Sequence, residues 1–375
     1  MFGKRIKLFN LLGFEVRVEG SWLIIAGLIV WSLAAGLFPY LYPHLSPETY
    51  WLMGAAGAVG LFLSIIFHEF CHSLVARRFA MPIKGITLFI FGGVAEMADE
   101  PPTARAEFYM AVAGPLSSIF MAGVFYLLYL WGKKGGWPVP VIGVTGYLAW
   151  INGLLAGFNL LPAFPLDGGR ILRSLLWWSK NNLRWATRIS SGIGAAFGIL
   201  FIVLGVLQIL RGNFIGGLWW SLIGMFLRGA AQMSYQQLVM RKALEGEPVS
   251  RFMNPHPVTV APSLTVKELV EDYIYKYHFK MFPVMEGEQV LGYITTRQVK
   301  EVPREEWERE TVGHLAAPCS SENTITPDTD AVQALARMNQ SGSSRLLVID
   351  QGRLKGIVTL KDLLNFISLK VELEE

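Results

Sequence analysis

Ile66-Phe67-His68-Glu69-Phe70-Cys71-His72 closes a charge-free apolar run that opens at Trp51. Its reading decides the fold. Four residues make just over one turn of an α-helix, so His68 and His72 project from the same face. Two neutral imidazoles on one face can hold Zn²⁺, and the carboxylate between them, Glu69, can act on water at such a site. The competing reading is a helix end whose polar side chains reach back toward water. Arg77 and Arg78 mark that end, but His68 lies nine residues earlier, about 13 Å along a helix. Ionisable groups at that depth are costly in a bilayer and mark function. Cys71 falls on another face and is read as a packing residue.

The surroundings of this run belong to a membrane protein. The chain has 375 residues, 52% hydrophobic and only 17% charged, against about 25% charged in a soluble domain, and its mean hydropathy is +0.39. The charge deficit lies before residue 227; the last third reads as soluble protein. A membrane helix needs about 20 mainly apolar residues. Six stretches are expected to span: 22–38, 51–67 (running on to 75), 108–131, 141–161, 189–210 and 214–227, the last short and glycine-rich. The N-terminal apolar run is read as a retained span, since no small-residue cleavage site follows it.

Six spans put both chain ends on one side. Lys4, Arg5 and Lys7, then Arg77, Arg78, Lys84 and Arg105, then Lys180, Arg184 and Arg188, then Arg241 and Lys242 all fall there. The opposite loops hold only Lys133, Lys134 and Arg211. By the positive-inside rule both termini are cytoplasmic, in a multi-pass protein of the cell membrane. The net charge of +4, without a dense basic run, argues against nucleic acid as a partner. Cys71 and Cys319, far apart in regions of different character, imply no disulfide framework.

A catalytic zinc needs a third protein ligand. The fourth span leads into Asn159-Leu160-Leu161-Pro162-Ala163-Phe164-Pro165-Leu166-Asp167-Gly168-Gly169-Arg170, where Asp167 is the only acid between Glu107 and Glu245. It is expected near the cytoplasmic end of that span, level with His68. A helix cap or an ion pair with Arg170 would also account for it. Pro162 and Pro165 break helical regularity, and irregular backbone at membrane depth is tolerated where it lines a polar cavity. Residues 83–97 (IKGITLFIFGGVAEM) are too short to span. They read as a membrane-dipping β-hairpin or an interfacial loop; a hairpin edge could pair with an unwound substrate strand.

On these residues the sequence resembles the site-2 protease family of intramembrane zinc metalloproteases (peptidase family M50). The resemblance is carried by His68–His72, Asn159–Arg170, Phe91-Gly92-Gly93-Val94 and Ala113-Gly114-Pro115, and covers most of the membrane part. It implies a polytopic α-helical membrane fold, with His68, His72 and Asp167 as zinc ligands and Glu69 as catalytic acid and base. It implies that Asn159 contacts substrate or helps stabilise the oxyanion. Phe91, Gly92, Gly93, Val94, Pro162 and Pro165 become the expected substrate-binding positions. The substrate would be a single-span membrane protein cut in or near its transmembrane segment.

After about residue 248 the chain repeats itself. Thr259-Val260-Ala261-Pro262 matches Thr324-Ile325-Thr326-Pro327, and Gly292-Tyr293-Ile294-Thr295-Thr296-Arg297-Gln298 matches Gly356-Ile357-Val358-Thr359-Leu360-Lys361-Asp362. This resembles a tandem pair of α/β CBS domains. The expected organisation is a protease domain over 1–235, a linker over 236–250 and repeats over 251–310 and 311–375. The CBS resemblance implies adenine nucleotide (ATP, ADP or AMP) on Thr359 and Asp362 in the second repeat. In the first, Gln298 replaces the Asp. A purely structural or dimerising pair, joining two copies of the chain, is the other reading. Two different functions also fit apolar spans with a CBS pair. One is a CBS-gated transporter or channel, whose intramembrane acids and histidines form an ion path. The other is an inactive scaffold, which an intact Glu69 argues against.

Overall fold

The computed structural model describes residues 6–81, 83–89, 92–97 and 100–374. They form two compact units, Met1–Gln236 and Gln237–Glu375.

Among the described residues six helices are long and apolar enough to cross a bilayer: α1 (Gly20–Leu41), α2 (Pro47–Arg78), α3 (Ala104–Lys134), α4 (Val139–Asn159), α6 (Leu183–Leu210) and α7 (Phe214–Leu244). A shorter helix, α5 (Asp167–Lys180), lies between the fourth and fifth of these. α1 is interrupted by a π-turn at Leu33–Leu37. Large apolar side chains such as Leu116, Ile119, Phe120 and Leu127 of α3 are exposed, which suits a surface that meets lipid rather than water.

The termini of α2 and α3 follow from local chemistry. The Ser46 and Thr103 hydroxyls accept the backbone N–H of Thr49 at 3.3 Å and of Ala106 at 3.1 Å, while Arg77 and Arg78 or Lys133 and Lys134 occupy the last turns. These capped, charge-complemented ends oppose the helix dipole. At 32 residues, α2 is about 48 Å long, which carries its ends past the hydrocarbon. Its buried residues include Gly54, Gly57, Leu61, Ser64, His68, His72 and Ala76, a single stripe at steps of three and four. The two histidines therefore sit on the face that packs inward.

Two expectations are corrected, and a third, the β-hairpin at 83–97, is met and extended. The fourth span ends at Asn159 rather than 161, and Asp167 is not at its end. Asp167 is instead the first residue of α5, across a loop of residues 160–166. Pro162 and Pro165 cannot supply backbone donors to a continuing helix, so the chain breaks and restarts. The sixth helix runs to Leu244, well past 227, because residues 228–244 are polar but contain no proline and one glycine. Finally, the hairpin at 83–97 is not alone. β3 (Ile83–Phe89) and β4 (Gly92–Met97) extend a sheet that begins with β1 (Ile6–Leu11) and β2 (Phe14–Val18), in the order β1-β2-β3-β4. β2 lies parallel to β3, with Val16 opposite Ile86. The N-terminal segment had no expected structure beyond its charge. Its hairpin turns at Leu12 and Gly13, both with positive φ (48° and 90°), as a two-residue turn of the primed type requires.

In the second unit, β5 (Met281–Glu286) pairs antiparallel with β6 (Gln289–Thr295), and Val260 bridges Val284 in parallel. The second repeat echoes this: β7 (Thr324–Ile325) lies parallel to β8 (Arg345–Asp350), which pairs antiparallel with β9 (Arg353–Thr359). Residues 236–250, expected as linker, are helical as far as Leu244. Ala243, Leu244 and Val249 are buried in the core of the second repeat with Phe252, Leu363 and Ile367.

Candidate active site

α2 supplies the first two members of the site. His68 and His72 are 4% and 8% exposed. Each ring is held from behind by α3. His72 Nδ1 lies 2.6 Å from the Met110 carbonyl oxygen. A carbonyl only accepts, so the proton sits on Nδ1 and the Nε2 lone pair is left for another partner. His68 Nδ1 lies 2.9 Å from Ser118 Oγ, which aims its Nε2 the same way. The two Nε2 atoms are 3.1 Å apart.

α5 supplies the third. Asp167 Oδ2 is 3.0 Å from His68 Nε2 and Oδ1 is 3.2 Å from His72 Nε2. Its position at the start of a helix is favourable for a carboxylate. Asp167 pairs with the imidazoles, not with Arg170, which removes the alternative of a simple Arg170 ion pair.

The residues fit a zinc ion. One nitrogen from each histidine and one carboxylate oxygen lie within 4.8 Å of one another. Donors arranged tetrahedrally around zinc at its usual bond lengths stand about 3.3 Å apart, close to the 3.0–3.2 Å seen. α3 also leaves room for it. A Cβ on Gly114 would lie 2.6 Å from His68 Nε2 and collide outright with His72 Nε2, so glycine here keeps the space between the rings open. Histidines whose second nitrogen is already bound to a carbonyl or hydroxyl are a recurring feature of metal centres.

Residues 56–135 and 136–205 match the model of peptidase family M50, and residues 249–305 and 314–369 match the CBS domain. Rip3 of Mycobacterium tuberculosis, a zinc metalloprotease by name, is 33% identical over 97% of this chain and 93% of its own length. The chain belongs to peptidase family M50. The zinc metalloprotease MJ0392 of Methanocaldococcus jannaschii is 28% identical over 99% of this chain and 98% of its own. A solved site-2 protease from the same archaeon is 28% identical, covering 61% of this chain and 94% of that one, with a TM-score of 0.45. The protein is thus a multi-pass membrane metalloprotease of the M50 family with a CBS pair, and the transporter reading loses its ground.

The other expected residues of this M50 chain that the structure describes lie on α2, on β4, at the end of α4 and in the 160–166 loop. Glu69 stands against β4: a Cβ on Gly93 would meet Glu69 Cγ at 2.8 Å and Ile65 Cγ2 at 3.2 Å. Gly92 begins β4, Val94 is paired with Thr87 of β3, and Phe91 lies outside the described residues. Asn159 is the last residue of α4, half-buried, and sits outside the hydrogen bonds drawn between His68, His72 and Asp167. Pro162 is exposed and Pro165 half-buried in the 160–166 loop, where Ala163 and Phe164 point inward.

Sequence reasoning passed over Met110 and Ser118, which orient the rings. It used Gly114 only as part of a resemblance. The available signal was the spacing of Met110, Gly114 and Ser118 on one face of α3. In the CBS unit, Thr359 and Asp362 cap the helix Leu360–Glu374. The Thr359 N–H and hydroxyl donate to Asp362 Oδ2 at 3.0 and 2.7 Å. Both line a cleft of about 900 Å³ shared with Asn254, Tyr277, His278 and Arg345. The corresponding Gln298 caps its helix in the same way, accepting from the Thr295 N–H and hydroxyl at 2.8 Å each, and its amide N–H also donates to the Leu315 carbonyl at 2.7 Å.

Proposed function

We propose that the protein hydrolyses a peptide bond in or near the transmembrane segment of a single-span membrane protein. In this reading zinc is held by His68, His72 and Asp167. The observation that carries it is the meeting of three donor groups, from α2 and α5, at 3.0–3.2 Å inside a bundle of membrane helices. Zinc in such a site polarises a carbonyl and acidifies water.

The chain's own residues do the rest. Glu69 follows His68 directly, so its carboxylate is carried to the edge of the same centre. It takes a proton from the attacking water and passes it to the leaving amine nitrogen. Asn159, at the end of α4, contacts the substrate backbone near the developing oxyanion. A helical substrate must unwind to offer its peptide bond. β4 is an edge strand that runs past Glu69 at Gly93, and an extended substrate segment adds there as a further strand through main-chain hydrogen bonds. Pro162 and Pro165, in the loop that leads into Asp167, contact the substrate in the same reading.

Both termini lie in the cytoplasm, following the distribution of Lys and Arg. The CBS pair takes an adenine nucleotide at Thr359 and Asp362, regulates the protease in response, and associates with a second copy of itself. The cleft of about 900 Å³ supports the nucleotide, being large enough for a ligand of that size.

The test is Glu69→Gln in purified, membrane-reconstituted protein, with a single-span model substrate. The variant should retain one zinc per chain and lose cleavage by roughly 10²–10⁴-fold. Cleavage at the parent rate would remove Glu69, and the proposed mechanism, from consideration.

A further inference from the structure

α3 carries Glu107, Met110, Gly114 and Ser118 at steps of three and four residues, so the four share one face. Met110 and Ser118 hold the backs of the histidine rings, and Gly114 makes room between their fronts. The fourth residue of the face, Glu107, does not touch the histidines. It holds α5.

Arg173 of α5 is 3% exposed and Glu107 is fully buried. Arg173 Nε donates to Glu107 Oε1 at 2.6 Å, and its Nη2 reaches both Glu107 and Glu100, the latter at 3.2 Å. The guanidinium also lies over the Phe164 ring, 4.8 Å from its centroid. One side chain thus ties together the start of α3, the segment before it and the loop that delivers Asp167. Glu107 Oε2 is buried with no hydrogen-bond partner among the described residues, so Arg173 is the main compensation for that charge.

We propose that Arg173, through Glu107, is a positioning residue for the metal centre: the buried pair sets the register of α5 along α3 and so fixes where Asp167 stands. This rests on the assignment of His68, His72 and Asp167 as ligands. Arg173 is six residues from Asp167, about 9 Å along a helix that transmits a displacement without much bending. The face of α3 that grips Arg173 is the face that orients both imidazoles. A single helix is therefore the common template for ligands from two others. A shift of α5 by a fraction of a turn would carry the Asp167 oxygens away from both rings, because each imidazole is pinned from behind.

The inference is tested by zinc affinity, measured by chelator competition on the full-length reconstituted protein, alongside thermal melting of the metal-free form. Arg173→Met should weaken zinc binding by about 10–100-fold, the range seen when residues supporting metal ligands are removed. The double variant Glu107→Met/Arg173→Met removes both charges. Such apolar replacements of buried ion pairs are commonly well tolerated, so it should fold while still binding zinc weakly. Arg173→Lys keeps the charge without the planar fork and should fall between parent and Arg173→Met.

Zinc affinity within threefold of the parent in Arg173→Met, or in the folded double variant, would overturn the proposal. If Arg173→Met fails to fold, the double variant decides. If both fail, Arg173→Lys decides, with parent affinity counting against the proposal and weakened affinity in its favour. Asp167→Ala runs in parallel. If it keeps parent affinity the ligand assignment falls, a result distinct from one in which it loses zinc while the Arg173 variants do not.

Discussion

Gly114→Ala puts the smallest possible obstruction at the centre of the site. The new Cβ would stand 2.6 Å from His68 Nε2 and nearer still to His72 Nε2, where ordinary contact begins at 3.4 Å. The rings, or α3 itself, must give way by about 1 Å, whereas metal–ligand distances tolerate only about 0.2 Å. The rings cannot retreat freely, since Met110 and Ser118 block them from behind. Overpacking of this kind costs about 1–3 kcal/mol in stability, which a folded chain can survive, while zinc affinity should fall by about 100-fold, the upper end of what disturbing a ligand's support costs. The control lies on the same helix: a Cβ on Gly123 meets nothing within 4 Å, so Gly123→Ala should bind zinc and melt like the parent. The assay is zinc per chain after desalting, with chelator competition and thermal melting of both variants. A Gly114→Ala protein that keeps one zinc per chain and parent activity would show that the space between the imidazoles is not where the metal sits.

Two further outcomes are expected, one at the metal centre and one in the CBS unit. Stripping the metal with a chelator should abolish cleavage and lower the melting temperature, and added zinc should restore both. At a zinc concentration 1,000 times the dissociation constant the stabilisation is about 4 kcal/mol, and melting that ignores zinc would contradict the site. In the CBS unit, Asp362→Ala removes one half of the cap on the helix Leu360–Glu374, costing about 1 kcal/mol. It should also weaken ATP binding measured by calorimetry, while Gln298→Ala leaves ATP binding unchanged. Equal ATP affinity in Asp362→Ala and parent would exclude that carboxylate from the nucleotide site.

What the sequence determined by itself were the features fixed by local chemistry. Long apolar runs must become helices in lipid, because no other open segment satisfies its own backbone. The spacing of His68 and His72 places both rings on one side of any helix, whatever surrounds it. The repeat in the C-terminal third is visible because two copies of one unit keep their turn and cap residues in register, as Thr295 with Gln298 and Thr359 with Asp362 do.

Tertiary structure alone decided the rest. Asp167 was legible as an isolated acid, but its seat at the head of α5 depends on a loop whose course two prolines permit without dictating. The N-terminal hairpin β1–β2 carried no sign of its partner, since its parallel pairing with β3 joins residues some seventy positions apart and strand pairing at that distance is chosen by packing, not by propensity. The same holds for Arg173 and Glu107. Glu107 alone is a charge in a first helical turn and Arg173 a charge in mid-helix; only the docking of α5 on α3 makes them a buried pair.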